Sequence, residues 1–387
     1  MTLMKTLVTI LCSTALLCAA AHARPNPQVI EIGTPMPPFE LPGIDGKTYT
    51  QADFAEARVL AILFTCNHCP ASVAASDRIE AIHQDFKDQG VALVAVNPNH
   101  PESLRPDELG YSPYNDSFEE MAPFAADLKW TFPYLYDGET QEFARACGAQ
   151  ATPHVFVFDA DRKLRYTGRM DDGRRARGPV EKSYIRDAIE AVLAGREVAE
   201  PVTRAIGCST KWHHLKESVA ADQKRWEALP VTLEDLDADH AAKLRKNESG
   251  NFRIVNFWAT TCGACIVEFP DLVETYRRFQ NRNVDFISIT LDPLDRRAAA
   301  LRFLENQHAS ISPRTRPSLE KEGRTSNNYI WAGSNPDVLA EAIDPEWSGA
   351  MPHTVIIAPG GEILWRFTGK LDPFELRRQL LRGLDAQ

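Results

Sequence analysis

Two short apolar runs punctuate the chain, Val59–Phe64 and Ile254–Trp258, and each is broken abruptly by small and hydroxyl residues and then by a cysteine. Runs of five or six residues bounded in this way predict strands in the middle of a sheet. After the first, Cys66-Asn67-His68-Cys69-Pro70 leads into apolar positions at Val73, Ile79, Ile82 and Phe86, a spacing that predicts a helix reaching Gly90. After the second, Cys262-Gly263-Ala264-Cys265 leads into helical sequence reaching Arg282. Pro70 suits a first helical turn, where the N–H it lacks would have no partner anyway.

The same pattern continues on both sides. An Asp-Gly hairpin is predicted at Gly43–Tyr49, a strand at Val91–Val96, a long Pro- and Asn-rich loop at Asn97–Tyr114 and a helix at Ser117–Leu128. A strand at Phe132–Tyr136, a short helix at Thr140–Cys147, a hairpin of Val155–Phe158 with Lys163–Thr167, and an amphipathic helix at Ser183–Leu193 complete the half. Gly195–Pro230 shows no strand pattern and reads as a connector whose first part packs back on what precedes it. From Val231 the scheme restarts with a leader, the Arg253–Trp258 strand, a strand at Val284–Leu291 and a helix at Arg296–Asn306. A polar insertion at Ser310–Asn328 follows, then Tyr329–Trp331, a helix at Pro336–Ala342, a hairpin of Thr354–Ala358 with Glu362–Thr368, and a final helix from Pro373. Strands alternating with helices and ending in a hairpin predict α/β domains with sheets of mixed strand direction.

The halves form an internal repeat. Thr152-Pro153-His154 answers Met351-Pro352-His353, 87 positions after Cys66 in one case and 90 after Cys262 in the other. Each is followed by two strands ending in Thr-Gly and then by an Asp, Asp171 or Asp372. Agreement of order and spacing over ninety residues is far stronger evidence than either Cys-x-x-Cys alone. The reading is a signal peptide over 1–23, a first domain over 28–200, a connector over 201–230 and a second domain over 231–387.

Composition narrows the functions. A formal charge of −10 with no basic run argues against nucleic-acid binding. Lys5, the apolar stretch Thr6–Ala21 and the small residues of Ala21-His22-Ala23 predict export with cleavage after Ala23, hence a periplasmic protein without stable membrane insertion. Cys12 and Cys18 would leave with the signal, so six cysteines remain. Four of them form the two Cys-x-x-Cys pairs, a spacing of redox or metal chemistry rather than architecture.

Both halves resemble thioredoxin-fold proteins. The second resembles the TlpA/ResA-type disulfide reductases through Trp258, Cys262, Cys265, Glu268 and Pro270, although Thr261 stands where those proteins usually carry Trp. The first is similar to the AhpC/TSA-like (redoxin) group through Phe64–Pro70, Thr152-Pro153, Asp171-Asp172 and Gly207-Cys208-Ser209. The resemblance implies two tandem thioredoxin-fold domains, each a mixed central sheet flanked by helices. It implies a thiol–disulfide oxidoreductase working through mixed disulfides with protein or small thiol clients, re-reduced by a membrane or periplasmic thiol reductant. No cofactor or resident metal is expected.

Site residues follow. Cys66 and Cys262 are expected to attack and Cys69 and Cys265 to resolve, because a thiol at a strand-to-helix turn is stabilised as thiolate by the helix N-terminus. Pro153 and Pro352 look like the family's cis-prolines beside the cysteines, which leave the preceding backbone free to pair with a substrate strand. Glu268 falls on the helix face of Cys265, and the resemblance implies a buried carboxylate that handles thiol protons. His68 as a cation beside Cys66 would make the first site the more oxidising. Cys147 and Cys208 would pair with each other, or Cys208 would join the first site as a third redox thiol, or both would stay free. His154 and His353 would pack, assist the thiols or complete a metal site.

Two other functions remain open. A thiol peroxidase needs Pro-x-x-x-Thr-x-x-Cys, but counting back from Cys69 positions 66 and 62 are Cys and Ile, and counting back from Cys66 positions 63 and 59 are Leu and Val. A copper-binding thioredoxin-like protein would use Cys66, Cys69 and His68 or His154 as soft ligands.

Overall fold

The computed structural model describes residues 27–173 and 180–386. The signal peptide expected over 1–23 lies outside the described residues, and no described helix is long and apolar enough to cross a membrane.

The first half begins with the hairpin β1 (Glu40–Pro42) and β2 (Thr48–Thr50), followed by β3 (Val59–Phe64), α1 (Pro70–Phe86), β4 (Val91–Asn97), α2 (Phe118–Asp127) and β5 (Tyr134–Tyr136). Then come α3 (Glu142–Cys147), the two-residue β6 (Ala151–Thr152), β7 (His154–Phe158), β8 (Leu164–Gly168) and α4 (Tyr184–Leu193). The main sheet runs β5-β4-β3-β7-β8. Its β3, β4 and β5 are parallel, and β7 and β8 are antiparallel. Every residue of β3 is buried, which is why that strand carries no alternation. One side of the sheet packs on Ile79, Ile82 and Ile189 and the other on Phe39, Phe143 and Cys147.

The connector is not structureless. It contains β9 (Cys208–Ser209), antiparallel to β6, and α5 (Lys216–Glu227). It divides between the two cores: Trp212 is buried in the first half with the Arg145 guanidinium 4.4 Å over its ring, whereas Trp226 is buried in the second. A two-residue strand has no periodicity, so no sequence pattern marks β9.

The second half adds β10 (Glu234–Leu236) and α6 (Ala238–Lys246), which the sequence reading treated as a leader. β10 is an edge strand carrying Glu234 and Asp235, and charge of that kind discourages pairing with a further chain. Then follow β11 (Phe252–Trp258), α7 (Gly263–Phe279), β12 (Val284–Thr290), α8 (Arg297–Asn306), α9 (Arg316–Lys321), β13 (Asn328–Trp331), α10 (Pro336–Ile343), β14 (His353–Ile357), β15 (Ile363–Thr368) and α11 (Pro373–Asp385). The sheet order is β10-β13-β12-β11-β14-β15, with β14 and β15 antiparallel to their neighbours. Arg253 interrupts the apolar pattern of β11 at no cost in unpaired charge, because it donates to Asp285 at 3.2 Å and to the Leu244 carbonyl at 2.6 Å.

The halves are tied through the loop before α2. Arg278 and Arg377 donate to the Pro113 carbonyl at 3.3 and 3.2 Å, and Arg378 donates to the Tyr114 hydroxyl at 2.6 Å and to Asp127 at 3.1 Å. The fold is thus the expected pair of α/β domains with mixed sheets.

Candidate active sites

In both halves the cysteine pair lies where the central strand, β3 or β11, turns into the following helix. The helices do not begin at the same cysteine. In the second half Cys262 is the N-cap of α7, and the Cys265 N–H points at its sulfur from 3.2 Å. In the first half the N-cap of α1 is Cys69, the second of the pair. Pro70 is the reason: a proline disfavours helical backbone in the residue before it, and Cys69 is extended at φ −66°, ψ 125°. The positive end of the helix therefore faces Cys262 in one site and Cys69 in the other.

The second site is open. Cys262 and Cys265 are disulfide-bonded with Cα atoms 5.3 Å apart. Cys262 is half-buried beside exposed Thr261, Gly263 and Ala264, whereas Cys265 is buried. Glu268, one turn beyond Cys265, is buried, accepts the Leu371 N–H at 2.8 Å, and accepts from the Asn256 amide at 3.2 Å. Burial pushes its pKa up to about 7 in spite of those two donors. The Met351-Pro352 peptide is cis. His353 turns away from the sulfurs to Asp344 and Thr368, at 3.0 and 2.8 Å, and stacks on Trp347.

The first site is closed. Cys66, Asn67, His68 and Cys69 are all buried, and both cysteines are free thiols. Cys66 is therefore not the outer sulfur that the sequence reading expected. It lies 3.1 Å from the Thr152 hydroxyl, and burial, with Cys69 and Asp116 adding to it, pushes its pKa well up. Cys69 is 3.1 Å from the Thr152 carbonyl, to which its thiol donates when protonated. Its pKa is shifted down, first by hydrogen bonding from the Cys208 thiol and then from Cys66, with His68 adding a smaller contribution. The cation expected to favour the Cys66 thiolate thus acts on Cys69. Thr152-Pro153 is cis, like its counterpart.

The sequence leaves three places open for Cys208. It is half-buried, its N–H donates to Cys69 at 3.3 Å, and it does not bond Cys147, which is buried in the core beside Phe143. A Cys147–Cys208 disulfide is thereby ruled out in this structure. His154 lies off the site, with Nε2 3.1 Å from Thr167 and Nδ1 accepting the Gln150 N–H at 3.3 Å. Burial holds its pKa down to about 4.

Sequence reasoning missed Asp116. This buried carboxylate accepts the Asn67 and His68 N–H groups on Oδ1, at 2.8 and 3.1 Å. On Oδ2 it accepts Asn99 at 2.7 Å and meets His68 Nδ1 at 2.6 Å. Burial opposes protonation of His68, but the Asp116 charge outweighs it and the net shift is upward. Ligand atoms of Cys66, His68 and Asp116 lie within 4.8 Å of one another, a spacing compatible with a metal. Four donors already occupy the carboxylate, however, and a metal would displace bonds that hold the Cys66–Cys69 loop in place. The fit to a resident ion is poor. No local signal marks Asp116, which sits in a polar loop 47 residues beyond Cys69 in sequence.

The Redoxin family model matches residues 31–184 and the AhpC/TSA family model matches residues 225–366. Among solved structures, a hypothetical protein from Sinorhizobium meliloti is 32% identical over 48% of this chain and 96% of its own, with a TM-score of 0.43. An uncharacterized conserved protein from Geobacillus kaustophilus is 38% identical over 47% of this chain and 92% of its own, with a TM-score of 0.42. A thiol-disulfide oxidoreductase from Bacteroides fragilis is 14% identical over 35% and 89%, with a TM-score of 0.29. No curated protein matches the chain. With one such family in each half, and a cysteine pair at the same strand-to-helix turn in both, the chain is a tandem thioredoxin-like oxidoreductase.

Proposed function

We propose that the chain is an exported, periplasmic thiol–disulfide oxidoreductase whose open Cys262–Cys265 site exchanges disulfides with protein or small-thiol clients. The observation that carries this reading is Cys262 at a helix N-terminus, partly open to solvent, with Cys265 behind it and a buried carboxylate one turn on. In the reduced state the Cys262 thiolate attacks a client disulfide, forms a mixed disulfide and expels one client thiolate. Cys265 gives its proton to Glu268, attacks the Cys262 sulfur and releases the second client thiolate. Two electrons pass to the client, and the Cys262–Cys265 disulfide remains for a thiol reductant to reopen. Pro270 and Trp258, with Glu268, support the TlpA/ResA-type reductase reading of this half.

In an insulin-reduction assay with a small dithiol as electron source, the Cys69→Ser/Cys262→Ser variant should lose the catalysed rate. Full activity in that variant would refute the reading. Cys265→Ser should accumulate mixed disulfides, which identify clients when the adducts are analysed.

Export is tested separately. Protein recovered from the cell envelope fraction should begin at Arg24 by N-terminal sequencing. Retention of Met1 would remove the cleavage after Ala23, and protein found only in the cytosol would remove the periplasmic assignment; either result leaves the chemistry standing.

A further inference from the structure

We propose that Cys208 is the outer member of a three-cysteine relay, carrying disulfides between solvent and the buried Cys66–Cys69 pair. This rests on the reading of the first pair as a disulfide-exchanging site. Three observations lead to it. The first is access: Cys66 and Cys69 are both 0% exposed, whereas Cys208 is half-buried. The second is contact: the Cys208 N–H donates to the Cys69 sulfur at 3.3 Å, and the Cys69 and Cys66 sulfurs meet the carbonyl and the hydroxyl of one residue, Thr152, at 3.1 Å each.

The third is how Cys208 is held. The β9 strand pairs with β6 so that Cys208 lies opposite Thr152, whose side chain and carbonyl touch the two inner sulfurs. The backbone edge that an incoming client strand would use is already occupied by the chain itself. The seat is built for that segment: a Cβ on Gly207 would lie 1.9 Å from the Thr152 carbonyl oxygen. Beyond it, Thr210 donates to the Gln150 and Ala149 carbonyls at 3.1 and 2.9 Å, and the Lys211 N–H donates to Asn99 at 2.8 Å. On the outer side Ile206 is 51% exposed, an apolar shoulder two residues from Cys208, the one partly exposed cysteine of the three.

The steps balance without a further reagent. Cys208 hands its proton to the neighbouring Cys69 thiolate and, itself now a thiolate, attacks a client disulfide, forms a Cys208–client disulfide and expels one client thiolate, which takes that proton from Cys69. Cys69 thiolate attacks Cys208, forming Cys69–Cys208 and releasing the second client thiolate. Cys66 then attacks Cys69, forming Cys66–Cys69 and returning Cys208 as a thiol with the proton from Cys66. The inner pair is oxidised by two electrons, and the client disulfide is reduced to one thiol and one thiolate, which carries away the negative charge that Cys69 brought.

The test uses the full chain carrying Cys262→Ser/Cys265→Ser, so that only the first site reports. The reduced protein is mixed with glutathione disulfide, quenched in acid, alkylated and mapped by mass spectrometry. Cys208→Ser should slow formation of the Cys66–Cys69 disulfide by about tenfold or more, because the one accessible thiol is gone. An unchanged rate, or a faster one from a site merely uncapped, overturns the relay. With Cys69→Ser, glutathione should be found on Cys208; glutathione on Cys66 instead also overturns it. If the chain with all three cysteines forms no Cys66–Cys69 disulfide, the reading of the first site fails and the relay with it. Exchange that proceeds regardless of Cys208 removes the relay alone.

Discussion

Glu268→Gln is expected to do two opposite things: slow disulfide exchange at the second site and raise the protein's melting temperature above pH 7. Both follow from one buried carboxylate. Its pKa moves from an ordinary 4.5 to about 7 on folding, chiefly through burial. Between those values the folded state holds a proton that the unfolded state has lost, so stability falls as pH rises through this window. The loss amounts to about 3 kcal/mol once the carboxyl is ionised in both states. Glutamine keeps the shape of the neutral form. Its carbonyl still accepts the Leu371 N–H, and its amide is accommodated if Asn256 turns over, since Asn256 Oδ1 has no partner among the described residues and the Thr354 hydroxyl can donate as well as accept. Melting curves of the oxidised protein should therefore separate at pH 8 and converge near pH 4.

The kinetic consequence has the other sign. Resolution of the mixed disulfide requires Cys265 to lose its proton, and a base with a pKa near 7 is well matched to accept it. The resolving rate of the parent protein should rise with pH through a midpoint near 7, following Glu268 ionisation. In Glu268→Gln that rise should vanish, and at pH 8 the rate should be lower by roughly a hundredfold, the lower range for acid–base catalysis. A variant with an unchanged pH profile would show that Glu268 packs the site without moving protons. A variant less stable than the parent at pH 8 would contradict the burial argument.

The second large effect is expected from Asp116→Ala. The substitution strands the Asn67 and His68 N–H groups and the Asn99 amide, and it leaves His68 buried without its counter-charge. Breaking a buried pair from one side costs about 3–5 kcal/mol, to be read from denaturant unfolding. The free Cys66 and Cys69 thiols should also become open to alkylation in native buffer. Asp116→Asn should recover part of the loss, because its carbonyl can still accept the two backbone N–H groups. The His68 pKa is raised on folding, so the ion-pair contribution is complete below about pH 6.5 and fades as pH rises past the folded value. The penalty for alanine should accordingly be larger at pH 6 than at pH 9. A penalty under about 1 kcal/mol with both thiols still protected would mean that Asp116 is not what fastens the loop.

The closed first site also alters the expectation that it is the more oxidising of the two. That expectation placed His68 beside a Cys66 thiolate. The structure places the helix N-terminus, the Cys208 donors and the larger benefit of His68 at Cys69. Stabilising either thiolate of a pair makes its disulfide easier to reduce, so the expectation now rests on Cys69 in place of Cys66, and redox titration of the two sites tests it.

What could be learned from sequence was what depends on neighbours along the chain. Apolar runs mark Val59–Phe64 and, with Asn256 its one polar residue, Ile254–Trp258 as central strands, because burial on both faces removes the polar alternation of a half-exposed strand. The repeat marks two domains of one kind, because one architecture imposes one order of elements. Pro70 even carried the position of the first helix start, through a steric clash one residue long. The tertiary structure decided which sulfur is reachable, what holds the first loop and where Cys208 goes. Asp116 reaches His68 across 48 residues and Cys208 reaches Cys69 across 139. Contacts of that kind leave no periodicity or composition behind, because they are made by folding distant segments together and not by any local preference of the residues that meet.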